Sequence, residues 1–320
     1  MTPTTPGPTA STTPAPPSAE PGAVRPTGTR VWLLAIRPKT LPAAAASVVV
    51  GTALAAYDGG FSLGPALAAL TIALLLQVGS NLANDVYDDE RGADTDDRLG
   101  PTRVTSAGLL SRGQVKRGMA VVFAIAFALG LYLTWVRGPL VLVIGVAAIV
   151  AAIAYTGGPY PLGYHGLGEV FVFLFFGVTS VVGTYWVQTG TTTPVVWLMS
   201  VPVGLLIVAI IVVNNLRDIE QDAAVGKRTV AVRIGPRATM AEYAACVAFA
   251  YVVVGAAALA EAVPVATMLS WASLPLAYLT ARSVFTETGR ALNRSLAGTG
   301  QVTLAFSVLF AIGLLLARPA

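Results

Sequence analysis

The chain has 320 residues, of which 55% are hydrophobic and only 11% are charged. A soluble domain carries about 25% charged residues, roughly 80 in a chain of this length, whereas this chain has 20 basic and 16 acidic residues. So few charges cannot cover a water-facing surface, so the composition excludes an ordinary soluble enzyme and predicts an all-α, polytopic membrane protein surrounded by lipid. The single cysteine and single histidine exclude an internal disulfide and a histidine metal cluster, and the net charge of +4 does not indicate a nucleic-acid partner.

Residues 1–29 consist mainly of Pro, Thr, Ser, Gly and Ala. Such a segment buries too little apolar surface to offset its ordering entropy, so we expect a disordered leader. It also lacks the apolar central run of a signal peptide. We therefore expect two parts, the leader over residues 1–29 and a transmembrane domain over residues 30–320.

Apolar runs follow Arg30 one after another, and each approaches the roughly 20 residues needed to cross a bilayer. None of these runs contains Lys, Arg, Asp or Glu, and their many Gly and Ala residues suit close helix packing in lipid. The runs predict nine transmembrane helices: Thr40–Tyr57, Pro65–Asn84, Met119–Val136, Gly138–Ala154, Val170–Val187, Val195–Val213, Tyr243–Ala260, Ala262–Ala281 and Gln301–Ala317.

The segments between the runs alternate in charge. All but two of the 20 basic residues fall on one side of the predicted membrane, and the exceptions are Arg137 and Arg318. Because Lys and Arg accumulate on the cytoplasmic side of the cell membrane, this pattern predicts a cytoplasmic N-terminus. With nine crossings, the C-terminus is then expected outside.

Ten of the 16 acidic residues fall in two short stretches, each directly after an apolar run on the predicted cytoplasmic side. Their members are Asp85, Asp88, Asp89, Glu90, Asp94, Asp96 and Asp97 in the first, and Asp218, Glu220 and Asp222 in the second. Helical spacing predicts one common face for Asn81, Asn84, Asp85 and Asp88, and another for Asn214, Asp218 and Asp222. The acids Asp89, Glu90, Asp96 and Asp97 are instead expected to be solvated loop charges.

The two stretches also match each other at an offset of 130 residues. In this alignment Asn84, Asp88, Glu90 and Arg98 correspond to Asn214, Asp218, Glu220 and Arg228. The match predicts a weak internal repeat at the scale of half the chain. Carboxylate and amide oxygens suit Mg²⁺, which usually binds one or two carboxylates together with phosphate oxygens. Two facing helix ends of this kind predict a Mg²⁺–diphosphate site, with the remaining phosphate charge balanced by the nearby cations Arg103, Arg112, Arg217, Lys227 and Arg228.

At these residues the sequence resembles the UbiA superfamily of intramembrane aromatic prenyltransferases. The first motif of that family is Asn-Asp-x-x-Asp-x-x-x-Asp, which residues 84–88 match, although Gly92 stands at the last position and Asp94 follows it. The second motif, Asp-x-x-x-Asp, is intact over residues 218–222. The departure at Gly92 is similar to the branch that prenylates 1,4-dihydroxy-2-naphthoate in menaquinone synthesis. Similarity to this branch extends to residues 37–42, 100–108, 155–163 and 214–218, within a resemblance that covers about residues 30–318.

The resemblance implies a fold and a reaction. Nine helices would surround a central cavity, Mg²⁺ would bridge a polyprenyl diphosphate to both motifs, and the prenyl group would pass to 1,4-dihydroxy-2-naphthoate with loss of the acceptor's carboxylate. Asp88, Asp218 and Tyr155 would be catalytic. Tyr155 shares an uncharged loop with Tyr160 and Tyr164, and one of these three tyrosines would shield the carbocation with its ring. The implied metal ligands are Asn84, Asp85, Asp88, Asp94, Asp218 and Asp222. The implied substrate-binding residues are Arg37, Lys39, Asn81, Asn84, Arg103, Asn214, Arg217, Lys227, Arg228 and Tyr160.

Two alternatives stay open at this point. The acceptor could be 4-hydroxybenzoate or another quinone or tocopherol precursor. A secondary transporter would also combine helical repeats with acidic residues at their interface, but its polar groups lie near the bilayer midplane. Since all nine apolar runs lack charge, the sequence favours the enzyme. The sequence indicates neither the length of the prenyl chain nor the oligomeric state.

Overall fold

A computed structural model describes residues 26–94 and 98–318, and within these ranges every regular element is helical. The α-helices are α1 Thr29–Ile36, α2 Leu41–Tyr57, α3 Leu63–Glu90, α4 Arg112–Arg137, α5 Leu140–Ala154, α6 Gly168–Val172, α7 Ser180–Thr189, α8 Pro194–Arg217, α9 Ile219–Ala224, α10 Val230–Leu259, α11 Leu274–Thr286 and α12 Leu292–Leu316. A π-helical turn joins α6 to α7, and short 3₁₀ segments occupy Pro38–Thr40, Leu162–His165, Val265–Ser273 and Gly289–Ala291. The predicted leader, residues 1–29, lies mostly outside the described residues.

Within the described residues, seven helical segments are long and apolar enough to cross a membrane: Thr29–Tyr57, Leu63–Glu90, Arg112–Arg137, Gly168–Thr189, Pro194–Arg217, Val230–Leu259 and Gly289–Leu316. The other two predicted runs form shorter helices. Helix α5 has 15 residues, and the run Ala262–Ala281 is divided between the 3₁₀ segment Val265–Ser273 and α11. Pro275 stands in the first turn of α11, where a residue without a backbone N–H starts a helix but does not continue one.

The positions of the two acidic stretches depend on where helices α3 and α8 end. Helix α3 ends at Glu90, and two residues later Gly92 adopts φ +67 and lets the N–H of Ala93 return to the carbonyl of Asp88 at 2.9 Å. Helix α8 stops at Arg217, and the chain turns at Asp218 into the short helix α9. Both sets of acids therefore sit on or just beyond the last turn of a long helix.

The interior divides into two main apolar clusters. One joins buried side chains of α2, α7, α8, α10 and α12, and the other joins α1, α3 and α4. Glycines allow close approach, since a Cβ at Gly177 would lie 2.5 Å from the Cα of Gly204 on α8. These glycines are packing residues, as the sequence predicts.

Candidate active site

A cavity of about 640 Å³ lies between the two main clusters. One end is polar and is formed by the last turns of α3 and α8. The rest is apolar, with side chains of α4, α5 and α7 among its lining. Along α3 the lining runs from Asp88 back to Ala69, which is about 28 Å of helix. This is close to the hydrocarbon thickness of a bilayer, about 30 Å.

Most residues that the sequence predicts for the site line this cavity. They are Arg37, Lys39, Asn81, Asn84, Asp88, Asp94, Arg103, Tyr155, Asn214, Arg217, Asp218, Asp222 and Lys227. The side chains of Asp85, Tyr160 and Arg228 are not part of the lining. The structure thus brings both Asn/Asp helix ends to one cavity, although 130 residues separate them in sequence.

Asp88 on α3 is held by two donors from other segments. Arg103 donates from Nη2 to Oδ2 at 2.8 Å, and the hydroxyl of Tyr164 donates to Oδ1 at 2.9 Å. Burial, followed by the charge of Asp88, raises the pKa of Tyr164, so this phenol stays protonated as a donor. One turn earlier, Asn84 accepts a hydrogen bond from the hydroxyl of Thr156 at 3.0 Å.

Asp218 after α8 is held by its own neighbour. Arg217 donates from Nε and Nη2 to the two carboxylate oxygens at 2.7 and 2.5 Å, which is a bidentate pair. The same guanidinium reaches Asn214 Oδ1 at 2.8 Å. On α9, Asp222 lies 3.2 Å from Lys227 Nζ.

Asp94 takes part in the site although Gly92 stands where the family motif has Asp. Its carboxylate forms ion pairs with Arg98 and Arg103, the latter at 3.4 Å. The positive φ of Gly92 favours glycine over Asp at that position. The carboxylate that lines the cavity is therefore supplied two residues later.

The donor set fits Mg²⁺ shared with a diphosphate. Among the described residues, no three His, Cys, Asp or Glu side chains converge closely enough to hold a metal ion by themselves, but Mg²⁺ needs only one or two carboxylates when phosphate oxygens complete its shell. Within the same ranges, Asp94 Oδ2 and Asp222 Oδ2 are buried and accept no hydrogen bond. Burial raises the pKa of Asp94, and it raises that of Asp222 to about 6. A cation beside these carboxylates would offset the cost of burying their charge.

Two basic residues of the α1–α2 junction also line the cavity: Arg37, which directly follows α1 with φ 54, and Lys39 in the next turn. Arg37 Nε and Nη2 are buried, and no hydrogen-bond acceptor among the described residues reaches them. Asn81 donates to the carbonyl of Ile36 at 2.8 Å and to Thr40 at 3.0 Å, so it ties α3 to this segment. Tyr155 lines the cavity at the end of α5, and a Cβ at Gly168 would lie 2.8 Å from its hydroxyl.

Three residues that the sequence predicts for the site, Asp85, Tyr160 and Arg228, lie outside the cavity lining. Asp85 accepts the backbone N–H groups of Val104 and Thr105, each at 3.0 Å, instead of facing the cavity. Tyr160 is 56% exposed and stacks on His165 with the ring centres 3.7 Å apart. The side chain of Arg228 is exposed.

Asp89 and Glu90, which the sequence predicts to be solvated loop charges, form ion pairs with basic side chains of α4. Asp89 pairs with Arg112 at 2.6 Å, and Glu90 pairs with Lys116 at 2.6 Å. Arg112 is therefore engaged away from the cavity, contrary to its predicted place among the diphosphate-balancing cations. Asp96 and Asp97, predicted to be solvated, lie outside the described residues.

Residues 44–297 match the sequence profile of the UbiA prenyltransferase family. The chain belongs to this family. The resemblance seen at the two Asp-rich motifs is thereby confirmed.

Two relatives that are both named 1,4-dihydroxy-2-naphthoate octaprenyltransferase match this chain. The 1,4-dihydroxy-2-naphthoate octaprenyltransferase of Escherichia coli (strain K12) is 38% identical over 300 residues, which are 91% of this chain and 96% of the relative. Its namesake from Mycobacterium tuberculosis is 40% identical over 219 residues, 68% of this chain and 75% of the relative.

Solved structures show that the fold is shared. A UbiA homologue from Aeropyrum pernix K1, in its apo form, aligns with a TM-score of 0.66 at 20% identity and covers 86% of this chain and 97% of its own. A homologue from Archaeoglobus fulgidus bound to DMAPP and Mg²⁺ aligns with a TM-score of 0.63 at 14% identity, over 89% of this chain and 99% of its own. The described residues thus share the fold of these UbiA homologues, and seven of their helical segments are long and apolar enough to cross a membrane.

Sequence reasoning missed several polar residues of the site, and Asn293 and Arg98 are two of them. Asn293 on α12 accepts from Arg217 at 2.7 Å and donates to the carbonyl of Leu99 at 2.8 Å. Arg98, noted in the repeat alignment only, lines the cavity beside Asp94. Neither residue belongs to an acidic stretch or to a helical face with other site residues, so the sequence offers no local signal for them.

Proposed function

We propose that this UbiA-family protein transfers a polyprenyl group from polyprenyl diphosphate to 1,4-dihydroxy-2-naphthoate, which yields the quinol form of demethylmenaquinone, CO₂ and diphosphate in menaquinone synthesis. The naphthoate octaprenyltransferase relatives at 38% and 40% identity support this acceptor. The principal structural support is that two Asn/Asp helix ends face one cavity whose remainder is apolar. A charged diphosphate suits the polar end, and a prenyl tail suits the rest.

Mg²⁺ fits the polar end, where Asn84, Asp88 and Asp94 would hold it on one side and Asp218 and Asp222 on the other. When bound, it would neutralise the negative charge that develops on the leaving diphosphate. Arg103 and Tyr164 fix the rotamer of Asp88, and Arg217 fixes that of Asp218. The carboxylates are therefore oriented before substrate enters, which lowers the reorganisation needed in the transition state.

The bond changes in this proposal balance without an oxidant. The allylic C–O bond breaks, and its electron pair leaves with the diphosphate. The ring carbon that bears the carboxylate forms the new C–C bond, and CO₂ departs, which returns an electron pair to the ring. The apolar cavity wall excludes water from the allylic cation, and the ring of Tyr155 offers it a π face.

An acceptor panel tests the proposal. Purified protein would be assayed with farnesyl diphosphate, Mg²⁺ and either 1,4-dihydroxy-2-naphthoate or 4-hydroxybenzoate, and the products identified by mass spectrometry. We expect a prenylated, decarboxylated naphthoate product. A product from 4-hydroxybenzoate alone would overturn the acceptor assignment, and no prenylated product from either would overturn the enzyme.

We further propose that residues 30–320 form one transmembrane domain with nine crossings, α5 and the segment 265–286 included, and with a pseudo-repeat centred on the two Asn/Asp ends. The N-terminus and the site would face the cytoplasm, and the C-terminus would lie outside. The alternation of Lys and Arg between loops supports this topology.

Single-cysteine labelling in intact cells tests the topology, since the native Cys246 is buried. Ser106, Glu220 and Thr191 are exposed positions for the new cysteines. An impermeant maleimide should label Thr191→Cys, whereas Ser106→Cys and Glu220→Cys should react only after the cells are opened. Labelling of Ser106→Cys and Glu220→Cys from opposite sides would rule out a shared site.

A further inference from the structure

Asp85 lies between the cavity-lining residues Asn84 and Asp88 but has different partners. Its carboxylate is 1% exposed. The backbone N–H of Val104 donates to Oδ2 and that of Thr105 donates to Oδ1, each at 3.0 Å. The hydroxyl of Thr105 also donates to Oδ1. Both oxygens are thus used by the segment that connects α3 to α4.

This contact closes a ring of interactions around Arg103. Arg103 directly precedes Val104 and Thr105, whose backbone N–H groups donate to Asp85. The guanidinium of Arg103 donates to Asp88 at 2.8 Å. The backbone beyond it turns tightly, with the N–H of Ala107 bonded to the carbonyl of Arg103 at 3.1 Å. One face of α3 therefore fixes the connecting segment, and the adjacent face receives the arginine that this segment presents.

A second segment meets the same carboxylate. Arg37 Nη2, at the end of α1, lies 3.9 Å from Asp85 Oδ2. Asn81, one turn before Asp85 on α3, bonds to the same α1–α2 junction. Asn81 and Asp85 thus both hold neighbouring segments, and of the two only Asn81 also lines the cavity, as Asn84 and Asp88 do.

We propose that Asp85 is a positioning residue, not a metal ligand: it anchors residues 104–105 so that Arg103 is held against Asp88. The inference rests on the proposed function, because Asp88 matters for turnover only if it serves the metal–diphosphate site. A buried hydrogen-bonded partner behind a ligand contributes about 10- to 100-fold to activity or metal affinity. Arg103 itself lines the cavity, where its charge would balance that of the diphosphate, so we expect the loss to fall on turnover.

The test compares Asp85→Asn with Asp88→Asn, two identical chemical changes three residues apart. Turnover with farnesyl diphosphate and 1,4-dihydroxy-2-naphthoate would be measured over a Mg²⁺ titration. We expect Asp85→Asn to lower kcat about 10- to 100-fold while the Mg²⁺ concentration for half-maximal activity stays at the wild-type value. Asp88→Asn should raise that concentration. In an Arg103→Lys background, Asp85→Asn should cost much less, since both changes disrupt one linkage.

A second variant removes a hydrogen-bond donor to Asp85 and leaves the carboxylate in place. Thr105→Val keeps the side-chain shape and removes the hydroxyl donor, so it should lower kcat in the same direction by less. Limited trypsin digestion without substrate gives an independent readout, because cleavage after the buried Arg103 requires the segment to open. Cleavage there should be faster in Asp85→Asn and in Thr105→Val than in wild type.

A raised Mg²⁺ requirement in Asp85→Asn, parallel to that of Asp88→Asn, would overturn the inference and make Asp85 a ligand. Wild-type kcat and wild-type trypsin sensitivity in Asp85→Asn would overturn it as well. Absence of prenyl transfer by the wild-type protein would instead overturn the proposed function. The trypsin comparison would still decide whether Asp85 anchors the segment.

Discussion

The ends of α3 and α8 present similar residues to the cavity but hold them in different ways. Asp218 is fixed by the adjacent Arg217, so the α8 end is ordered by neighbours in sequence. Asp88 is fixed by Arg103 and Tyr164, which lie 15 and 76 residues further along the chain. The Asp218 carboxylate is therefore oriented locally, although Arg217 also reaches Asn293 on α12, whereas Asp88 is held only when two connecting segments have packed against α3.

The largest expected effect concerns both ends at once. If the two ends share one metal–diphosphate site, chelation of Mg²⁺ should abolish prenyl transfer, and readdition should restore it. The measurement is product formation before and after treatment with EDTA and repletion. Full turnover in excess chelator would show that the two ends do not act through a metal.

The next largest effect on turnover is expected when a single carboxylate is neutralised. Asp88→Asn and Asp218→Asn each remove one charge from the cavity and should each lower turnover about 10²- to 10³-fold, the usual cost of one preorganised electrostatic contact. Thermal unfolding without ligand should change little. With Mg²⁺ and farnesyl diphosphate added, wild type should gain stability and these variants should not, because a ligand stabilises in proportion to its affinity for the folded state.

Asp89→Asn is the matched control for Asp88→Asn. It makes the same change one residue later on α3, at a carboxylate that pairs with the 56% exposed Arg112 outside the cavity. Because exposed ion pairs contribute little, this variant should turn over like wild type and keep the stabilisation by ligand. An Asp89→Asn protein as inactive as Asp88→Asn would mean that Asp89 also belongs to the active site.

A smaller loss is expected for Asp94→Asn. Two arginines, Arg98 and Arg103, already balance this carboxylate, so its charge is less available to a bound cation than that of Asp88. We expect a loss of about tenfold in kcat, equivalent to ~1.4 kcal/mol in the barrier. A loss as large as that of Asp88→Asn would place Asp94 on equal terms with Asp88.

The smallest effect on chemistry is expected at the link between the two ends. Asn293→Ala leaves Arg217 Nη1 and the carbonyl of Leu99 without their partner, so it should destabilise the fold by about 1–3 kcal/mol. Thermal unfolding in detergent would measure this, with the exposed neighbour Arg294→Ala as the control. Equal unfolding temperatures for the two variants would show that Asn293 does not join the ends.

Much of this protein follows from local properties of its sequence. The shortage of charge identifies a membrane protein, and the paired acidic motifs identify the family, because both depend on composition and short spacing alone. Helical spacing also places Asn84, Asp88 and Asp218 where the structure has them, on the cavity, since residues four apart share one side of a helix.

The tertiary structure decided the rest. Periodicity groups Asn81, Asn84, Asp85 and Asp88 on one broad face, and only the packing of residues 104–105 against that face turns Asp85 away from the cavity. The return of Asp94 to the site depends on the left-handed turn at Gly92 and on two arginines that follow it. Asn293 and Tyr164 reach the site because α12 and the segment after α5 fold back onto the helix ends. Contacts between residues far apart in the chain leave no periodic pattern in the sequence, so they can be identified only in the packed structure.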